Sequence, residues 1–381
     1  MNSGQLGVLK SSQMCVRCVM DTSAENISFD EDGRCNYCTN FLSNPGYFLN
    51  KNRADSKKEL DVLVTQIKLD GKGKQYDCIV GVSGGVDSSW MLVQAVKLGL
   101  RPLAVHLDNG WNSELAQNNI ANLVQKLGVD LYTHVIHWDE YKNLMQAFFE
   151  ADVIDIELLY DNAMLATNFN LATKQGVKYI LSGCNHASEG MPIPPGWNWF
   201  KYDKKNIKAI GKQFTNTRLK TFPAIGTFEY IWSSYVKKIK WLSLLNYFDY
   251  NKFEVMAALQ EEYGYKPYPY KHYESIFTRF YQGYILPEKF AVDKRKLHLA
   301  PLVVSGQMTR DDALASINSL PFPSQQALDE DKAYFIKKMG WSSSQLEEYM
   351  LRPGKPHSIY PTEKALYMMC IRTYFKWIKK K

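Results

Sequence analysis

Two common phosphate-binding signatures are missing from this chain although the setting for them is present. The turn Ser83-Gly84-Gly85-Val86-Asp87-Ser88 follows an apolar run and opens a helical pattern, yet it has neither a Walker A lysine nor G-x-G-x-x-G spacing. A P-loop nucleotidase and a dinucleotide-type fold are thereby excluded. No apolar run approaches the length of a membrane span, and residues 1–14 lack the apolar core of a signal peptide. A cytoplasmic protein with no membrane span is expected. Internal repeats and low-complexity tracts are also missing, which excludes a solenoid. The 7 cysteines are odd in number in a chain of 381 residues, which argues against a disulfide framework and for metal or thiol chemistry. Charge of one sign is scarce once its distribution is considered. The net charge is +7, but Lys376, Lys379, Lys380 and Lys381 crowd the end of the chain. The remainder is mild and suits anionic nucleotides; no nucleic acid is expected among the partners.

What is present reads as a soluble globular chain, with 45% hydrophobic and 22% charged residues. Four of the cysteines form Cys15-x2-Cys18 and Cys35-x2-Cys38, close to the spacing of a structural Zn²⁺ site. Four protein ligands leave no open position for a substrate, and so short a segment lacks a core of its own. A redox pair of C-x-x-C motifs or an iron–sulfur cluster is the rival reading of the same spacing.

Residues 44–75 are polar and lysine-rich around a helical stretch at 57–69. From residue 76 short apolar runs alternate with amphipathic helices, the pattern of an α/β fold with a parallel sheet. Strands are expected over 77–82, 102–107, 131–136 and 178–182, and helices over 87–98, 113–127 and 161–175. After Phe222-Pro223 the strands are expected to stop. Phe228, Trp232, Tyr235, Ile239, Leu242 and Leu245 recur at helical spacing, which predicts one amphipathic helix over 226–248. Its apolar face packs on its own domain, docks another protein or lies on a membrane surface. Further helices are expected at 309–317 and 325–339. Four regions result: a four-cysteine zinc ribbon over 1–45, a connector over 46–75, an α/β nucleotide domain over 76–225 and a helical substrate or partner region over 226–381.

Strand, glycine turn and helix N-terminus together aim backbone N–H groups and a positive dipole end at one point, where a polyphosphate fits. The turn resembles the PP-loop of ATP pyrophosphatases, which cleave ATP to AMP and pyrophosphate so that a carbonyl oxygen is adenylated and replaced. ATP is then expected against Val82, Ser83, Gly84, Gly85, Asp87, Ser88 and Ser89, with Asp87 either capping the helix or holding Mg²⁺. His106 and Asp108 end the second strand and Ser182 and Gly183 the fourth, where ligands bind in open α/β sheets. In the cluster that follows, Asn185 and His186 are candidate substrate contacts. Glu189 is a second Mg²⁺ ligand, a base for an incoming amine or a surface carboxylate. Cys184 carries persulfide sulfur or is inert packing. Aromatic and basic residues interleave over 265–310, where Tyr270, Lys271 and His272 adjoin Tyr273; the pattern fits a nucleotide-bearing ligand, a nucleic acid, or an aromatic core with lysines reaching outward.

Three stretches together resemble one family. They are Cys15-Val16-Arg17-Cys18-Val19-Met20-Asp21-Thr22 with Cys35-Asn36-Tyr37-Cys38, the glycine turn, and Phe277-Thr278-Arg279-Phe280-Tyr281-Gln282-Gly283 continuing to Asp293-Lys294-Arg295-Lys296. The family is the N-acetyl sugar amidotransferases of bacterial surface-polysaccharide and nonulosonic-acid biosynthesis, and the resemblance spans nearly the whole chain. Gly183-Cys184-Asn185 departs from the family's Gly-Glu-Asn. The resemblance implies conversion of an acetamido group on a nucleotide-linked N-acetyl sugar into an acetamidino group, in lipopolysaccharide, O-antigen or flagellar-glycan synthesis. It further implies ammonia from a separate glutaminase of the histidine-biosynthesis type. Lys294 and Arg295 would stabilise the departing pyrophosphate if the C-terminal region folds over the sheet, alongside Asp87 and Glu189 as catalytic groups. Arg279, Tyr281 and Lys296 would contact substrate. A tRNA-thiolating sulfurtransferase, which also pairs such a turn with cysteine knuckles, and a non-catalytic zinc-ribbon interaction protein are the alternatives.

Overall fold

A computed structural model describes residues 13–44, 53–269 and 273–378. Tyr270, Lys271, His272 and the terminal lysines 379–381 lie outside the described residues. The Cys-rich segment ends in helix α1 (Asn36–Ser43), and α2 (Arg53–Asp70) follows. The α/β part then runs β1 (Cys78–Gly81), α3 (Val86–Lys97), β2 (Pro102–Asp108), α4 (Glu114–Leu127), β3 (Leu131–Val135), α5 (Trp138–Glu150), α6 (Leu158–Gln175), β4 (Tyr179–Leu181), the single turn α7 (His186–Glu189) and α8 (Lys204–Thr215). After it come α9 (Thr227–Ile231), β5 (Lys240–Leu242), α10 (Lys252–Tyr263), α11 (Ile276–Phe280), α12 (Leu286–Phe290), α13 (Lys294–Val304), α14 (Arg310–Asn318), α15 (Gln325–Met339), α16 (Ser343–Leu351) and α17 (Lys364–Ile378).

The expected α/β fold with a parallel sheet is present, in the strand order β3-β2-β1-β4-β5, with every pairing parallel. The order in which strands are added reverses between β1 and β4, so the crevice at the C-terminal ends of those two strands is the topological switch point. Alternation puts the β1 side chains on two faces. Cys78 and Val80 pack with Met91, Leu92 and Ala95 of α3, whereas Ile79 packs with Leu165, Ala166 and Phe169 of α6.

The expected helix over 226–248 does not form, and the strands do not stop at residue 223. Residues 227–231 are α-helical, 232–236 widen into a π-helical turn, and the chain turns at Lys238, which has φ +56°. Residues 240–242 then enter the sheet beside β4, with Lys240 N donating to Lys178 O at 2.8 Å. The apolar spacing misled because its residues serve different surfaces: Phe228 and Trp232 are exposed, whereas Ile239 and Leu245 are buried on the sheet.

One apolar body joins the Cys-rich segment to the C-terminal helices. It includes Cys15, Met20 and Phe41 together with Trp111, Phe149, Phe277, Phe280 and Phe335. The 352–357 segment is strapped to the loop after α5 by Asp152, whose carboxylate accepts from Arg352 Nε at 3.0 Å, Lys355 Nζ at 3.3 Å and the fully buried Lys289 at 3.5 Å. Beside this strap His357 is buried, its Nδ1–H donating to Asn206 Oδ1 at 2.9 Å and its Nε2 accepting from the Asp155 N–H at 3.2 Å.

Burial pushes the His357 imidazole down to about 4, against the opposing pull of Asp155. An unfolded histidine titrates near about 6.5, so the unfolded chain takes up this proton first as the pH falls. The stability that His357 contributes is therefore complete above its unfolded value and is lost as the pH falls toward 4. A depression of this size corresponds to roughly 3 kcal/mol. Urea denaturation between pH 7 and pH 4 should register that loss, and His357→Gln should be less stable at pH 7 but show a shallower decline.

Candidate active site

Sγ atoms of Cys15 and Cys38, and of Cys18 and Cys35, lie 3.8 Å apart, and those of Cys35 and Cys38 lie 3.5 Å apart. A tetrahedral ion with Zn–S bonds of about 2.3 Å requires sulfur–sulfur edges of about 3.8 Å. All four thiols are buried, and backbone N–H groups of Arg17, Met20, Cys35 and Cys38 point at their sulfurs over 3.2–3.4 Å. That donor set fits four thiolates on one zinc ion, closed to substrate. The ribbon also braces what covers the sheet. Lys296 Nζ of α13 donates to Asp21 at 2.5 Å, and Arg310 of α14 donates to the carbonyls of Cys15 and Cys18 at 3.0 and 3.1 Å.

At the switch point the glycine turn forms as its residues dictate. Gly84 has φ +85°, and a Cβ on it would stand 2.9 Å from Ala116 O, so backbone conformation and space both require glycine. Ser88 Oγ accepts from Ser83 N at 3.2 Å, lies 3.2 Å from the Ser83 hydroxyl, and donates to Gly85 O. Gly183 lines the cavity described below and also admits the neighbouring helix. A Cβ there would stand 2.6 Å from Ser88 N and 2.7 Å from Asp87 C. This approach lets Asp87 Oδ1 accept from Asn185 Nδ2 at 3.1 Å, from Ser188 Oγ at 3.3 Å and from the Tyr250 hydroxyl. Burial and the facing Asp87 carboxylate push the Tyr250 phenol well above its usual range, so it stays a proton donor.

Above the turn is a cavity of about 540 Å³. Val82, Ser83, Gly85, Asp87, Ser88, Ser182, Gly183, Cys184 and Glu189 line its floor. Tyr160, Met164 and Asn168, successive turns along one face of α6, form a side wall. Lys252, Phe253 and Met256 of α10 with Tyr265 and Tyr268 form another, and Glu274, His298, Leu299, Leu302, Met308 and Ser316 close the top. Tyr268 donates to Gly84 O at 3.0 Å. Two buried polar atoms in these walls, Asn168 Oδ1 and the Tyr265 hydroxyl, have no hydrogen-bond partner.

Several expected site residues are elsewhere. His106 is buried on the opposite face of β2, its ring bonded to Val82 O at 3.0 Å and to Asn112 at 2.9 Å. Asp108 accepts from Gly110 N and Asn112, and Ser89 is buried beneath the turn. Asn185 caps α7, and His186 docks on the ribbon by donating to Phe41 O at 3.0 Å. The basic cluster faces away from the cavity and is held by salt bridges: Lys294 with Glu157 at 2.8 Å, Arg295 with Asp293 at 2.7 Å, Lys296 with Asp21, and Arg279 with Asp331. Tyr281 is buried against Ile154 O. One turn beyond Lys294 and Arg295, the same helix presents His298 instead.

Lys252, Glu274 and His298 are therefore site residues that the sequence motifs did not single out as such. The spacing of Met164 and Asn168, four apart in the helix expected over 161–175, was a usable signal for the side wall; Tyr160 joins them because α6 begins earlier, at Leu158. Cys184 is reachable from solvent, yet enclosure and the nearby Glu189 push its thiol up to about 12. It is a neutral thiol at physiological pH.

Residues 274–374 match one family profile. Its description is the C-terminal domain of the lipopolysaccharide-biosynthesis protein WbpG and its like. No curated protein matches the chain. Among solved structures, the NMN synthetase of Francisella tularensis is 13% identical over 73% of this chain and 96% of its own, with a TM-score of 0.32. The NH3-dependent NAD synthetase of Campylobacter jejuni is 13% identical over 58% and 100%, with a TM-score of 0.29. The glutamine-dependent NAD+ synthetase of Acinetobacter baumannii is 15% identical over 70% and 44%, with a TM-score of 0.35. Overlap this low leaves the chemistry to be argued from the cavity itself. Among the described residues no helix is long and apolar enough to cross a membrane.

Two outcomes are expected. Purified protein should carry one zinc per chain by elemental analysis. Stripping it, or Cys35→Ser, should lower the melting temperature and raise hydrogen exchange in 294–318 as well as in the ribbon, because such sites contribute up to about 10–16 kcal/mol. Separately, Cys184 should react with maleimide far more slowly than a free thiol at pH 7.5. Its rate should climb about tenfold per pH unit toward its raised pKa.

Proposed function

We propose that this chain is an ATP-dependent amidotransferase that converts the acetamido group of a nucleotide-linked N-acetyl sugar into an acetamidino group in surface-polysaccharide synthesis. One observation carries the reading: a single cavity joins the glycine turn to the segment of WbpG-like sequence. Ser83, Asp87 and Ser88 line its floor, and Glu274, His298, Leu299 and Ser316 line its top.

The chemistry follows from what an amide requires. Its oxygen does not leave as oxide, so it first attacks the α-phosphorus of ATP and the bond to pyrophosphate breaks. Ammonia then adds to the imidate carbon, AMP departs with the oxygen, and one proton is given up. The turn and the α3 N-terminus suit the phosphates. Lys252 and His298, rather than Lys294 and Arg295, are the basic side chains lining the cavity, and they take the role of steadying the departing charge. Glu189 and Glu274, carboxylates that line the cavity, would receive the ammonium proton. Asp87 with Glu189 would hold Mg²⁺, which neutralises phosphate charge when bound. Apolar walls from Met164, Met256, Leu299 and Leu302 exclude water that would hydrolyse the imidate. Ammonia comes from a separate glutaminase of the histidine-biosynthesis type. The neutral Cys184 thiol speaks against persulfide chemistry at this site.

The test is AMP release from ATP with ammonium chloride and a panel of UDP- and CMP-linked N-acetyl sugars, with mass spectrometry of the sugar. AMP formed with one sugar, and a mass change of O to NH, is expected. Lys252→Ala should cut that rate by about 10²–10³, with Arg295→Gln affecting stability more than turnover. AMP formed only with tRNA and a sulfur donor would sink the proposal.

A further inference from the structure

One buried polar group in the cavity wall has no part in the chemistry proposed above. Asn168 of α6 is 2% exposed and lines the cavity. Its Nδ2 donates to Met164 O, one turn back along the helix, at 2.8 Å, whereas its Oδ1 has no hydrogen-bond partner. The orientation of the amide is dictated. Met164 O can only accept, so Nδ2 must face it, and the atom left over is an acceptor. A buried acceptor without a donor is costly, and a ligand that brings the donor removes that cost.

The surroundings of this acceptor are apolar. Side chains alternate between the faces of β1 and β2, and Ile79 and Val105 share the α6 face with Phe169. Gly81 and Leu107, each two residues further on, face the same way. A Cβ on Gly81 would stand 3.8 Å from the Asn168 amide, so that amide lies against the end of β1. Gly81, Val105, Leu107 and Met164 all line the cavity with Asn168. The result is an apolar slot with one acceptor, two residues before the turn that begins at Ser83. Its complement is a heteroaromatic ring carrying an exocyclic amino group. Given the nucleoside triphosphate proposed for the glycine turn, on which this inference rests, we propose that Asn168 determines base specificity: its Oδ1 accepts from the N6 amine of adenine and rejects purines with a carbonyl oxygen at C6. A 6-oxopurine sets a second acceptor against Oδ1. The amide cannot turn over to offer Nδ2 without setting Oδ1 against Met164 O.

Calorimetric titration of the full chain with Mg²⁺ and ATP, ITP, purine riboside triphosphate or CTP tests it. ITP has oxygen at C6 and the purine riboside has hydrogen there; both should bind about 10–100-fold more weakly than ATP. Cytosine also carries an exocyclic amine, and CTP, with its smaller ring, should bind more weakly than ATP. Asn168→Leu should bring ATP to within about threefold of ITP by removing the acceptor. Its melting temperature should not fall, because Met164 O stays in the helical ladder of α6 and an unpaired buried acceptor is gone. Equal affinity of the unmodified chain for ATP and ITP, CTP bound as tightly as ATP, or an Asn168→Leu chain that melts lower yet keeps its preference for ATP overturns the assignment and leaves the triphosphate reading of the turn standing. Failure of all four nucleotides to bind sinks that reading, and the assignment with it.

Discussion

The approach of Gly183 to the first turn of α3 is the contact on which the rest of the site depends. A Cβ at that position would sit 2.6 Å from Ser88 N, so only glycine lets the loop after β4 close on the glycine turn after β1. Once closed, the two loops share Asp87, which collects hydrogen bonds from Asn185, Ser188 and Tyr250. The floor of the cavity is thus preorganised by its own hydrogen bonds.

A second dependence runs through the ribbon. Its four cysteines take no part in the cavity, yet Asp21 and the carbonyls of Cys15 and Cys18 hold Lys296 and Arg310 on the helices that form the roof. His186, next to the floor cluster, bonds Phe41 of the same lobe. The four-cysteine lobe acts here as a bracket between floor and roof, and it shares an apolar core with helices far away in sequence. The Asp152 cluster does the same work at the other end, where a buried carboxylate binds three cations from the C-terminal segments. Such a cluster is worth little as net stability but costs several kcal/mol to break from one side, typically about 3–5.

Basic residues of the site are where motif reading and structure part company. Lys294, Arg295 and Lys296 stand together in the sequence and suggest an anion site. In the fold each has its own acceptor, Glu157, Asp293 and Asp21, in three separate parts of the chain. Four residues past Lys294, about one helical turn, His298 lines the cavity, and Lys252 reaches it from α10. Spacing along a helix identifies a face, but which face meets the cavity is set by how the helix is packed.

Sequence alone determined the features that rest on local chemistry. Glycines at a strand-to-helix turn, two C-x-x-C knuckles and alternating apolar runs each have few physical solutions, so the four-cysteine cluster, β1 to β4 and the helices at 114–127 and 325–339 were legible. Tertiary structure alone decided β5, a strand of three residues that exists only because β4 offers an unpaired edge. It also decided which titratable groups face the cavity. His106 and Asp108 end a strand that points at the site, yet alternation turns their side chains to the other face. Long-range packing, to which no local spacing is sensitive, selects among faces that the sequence leaves equivalent.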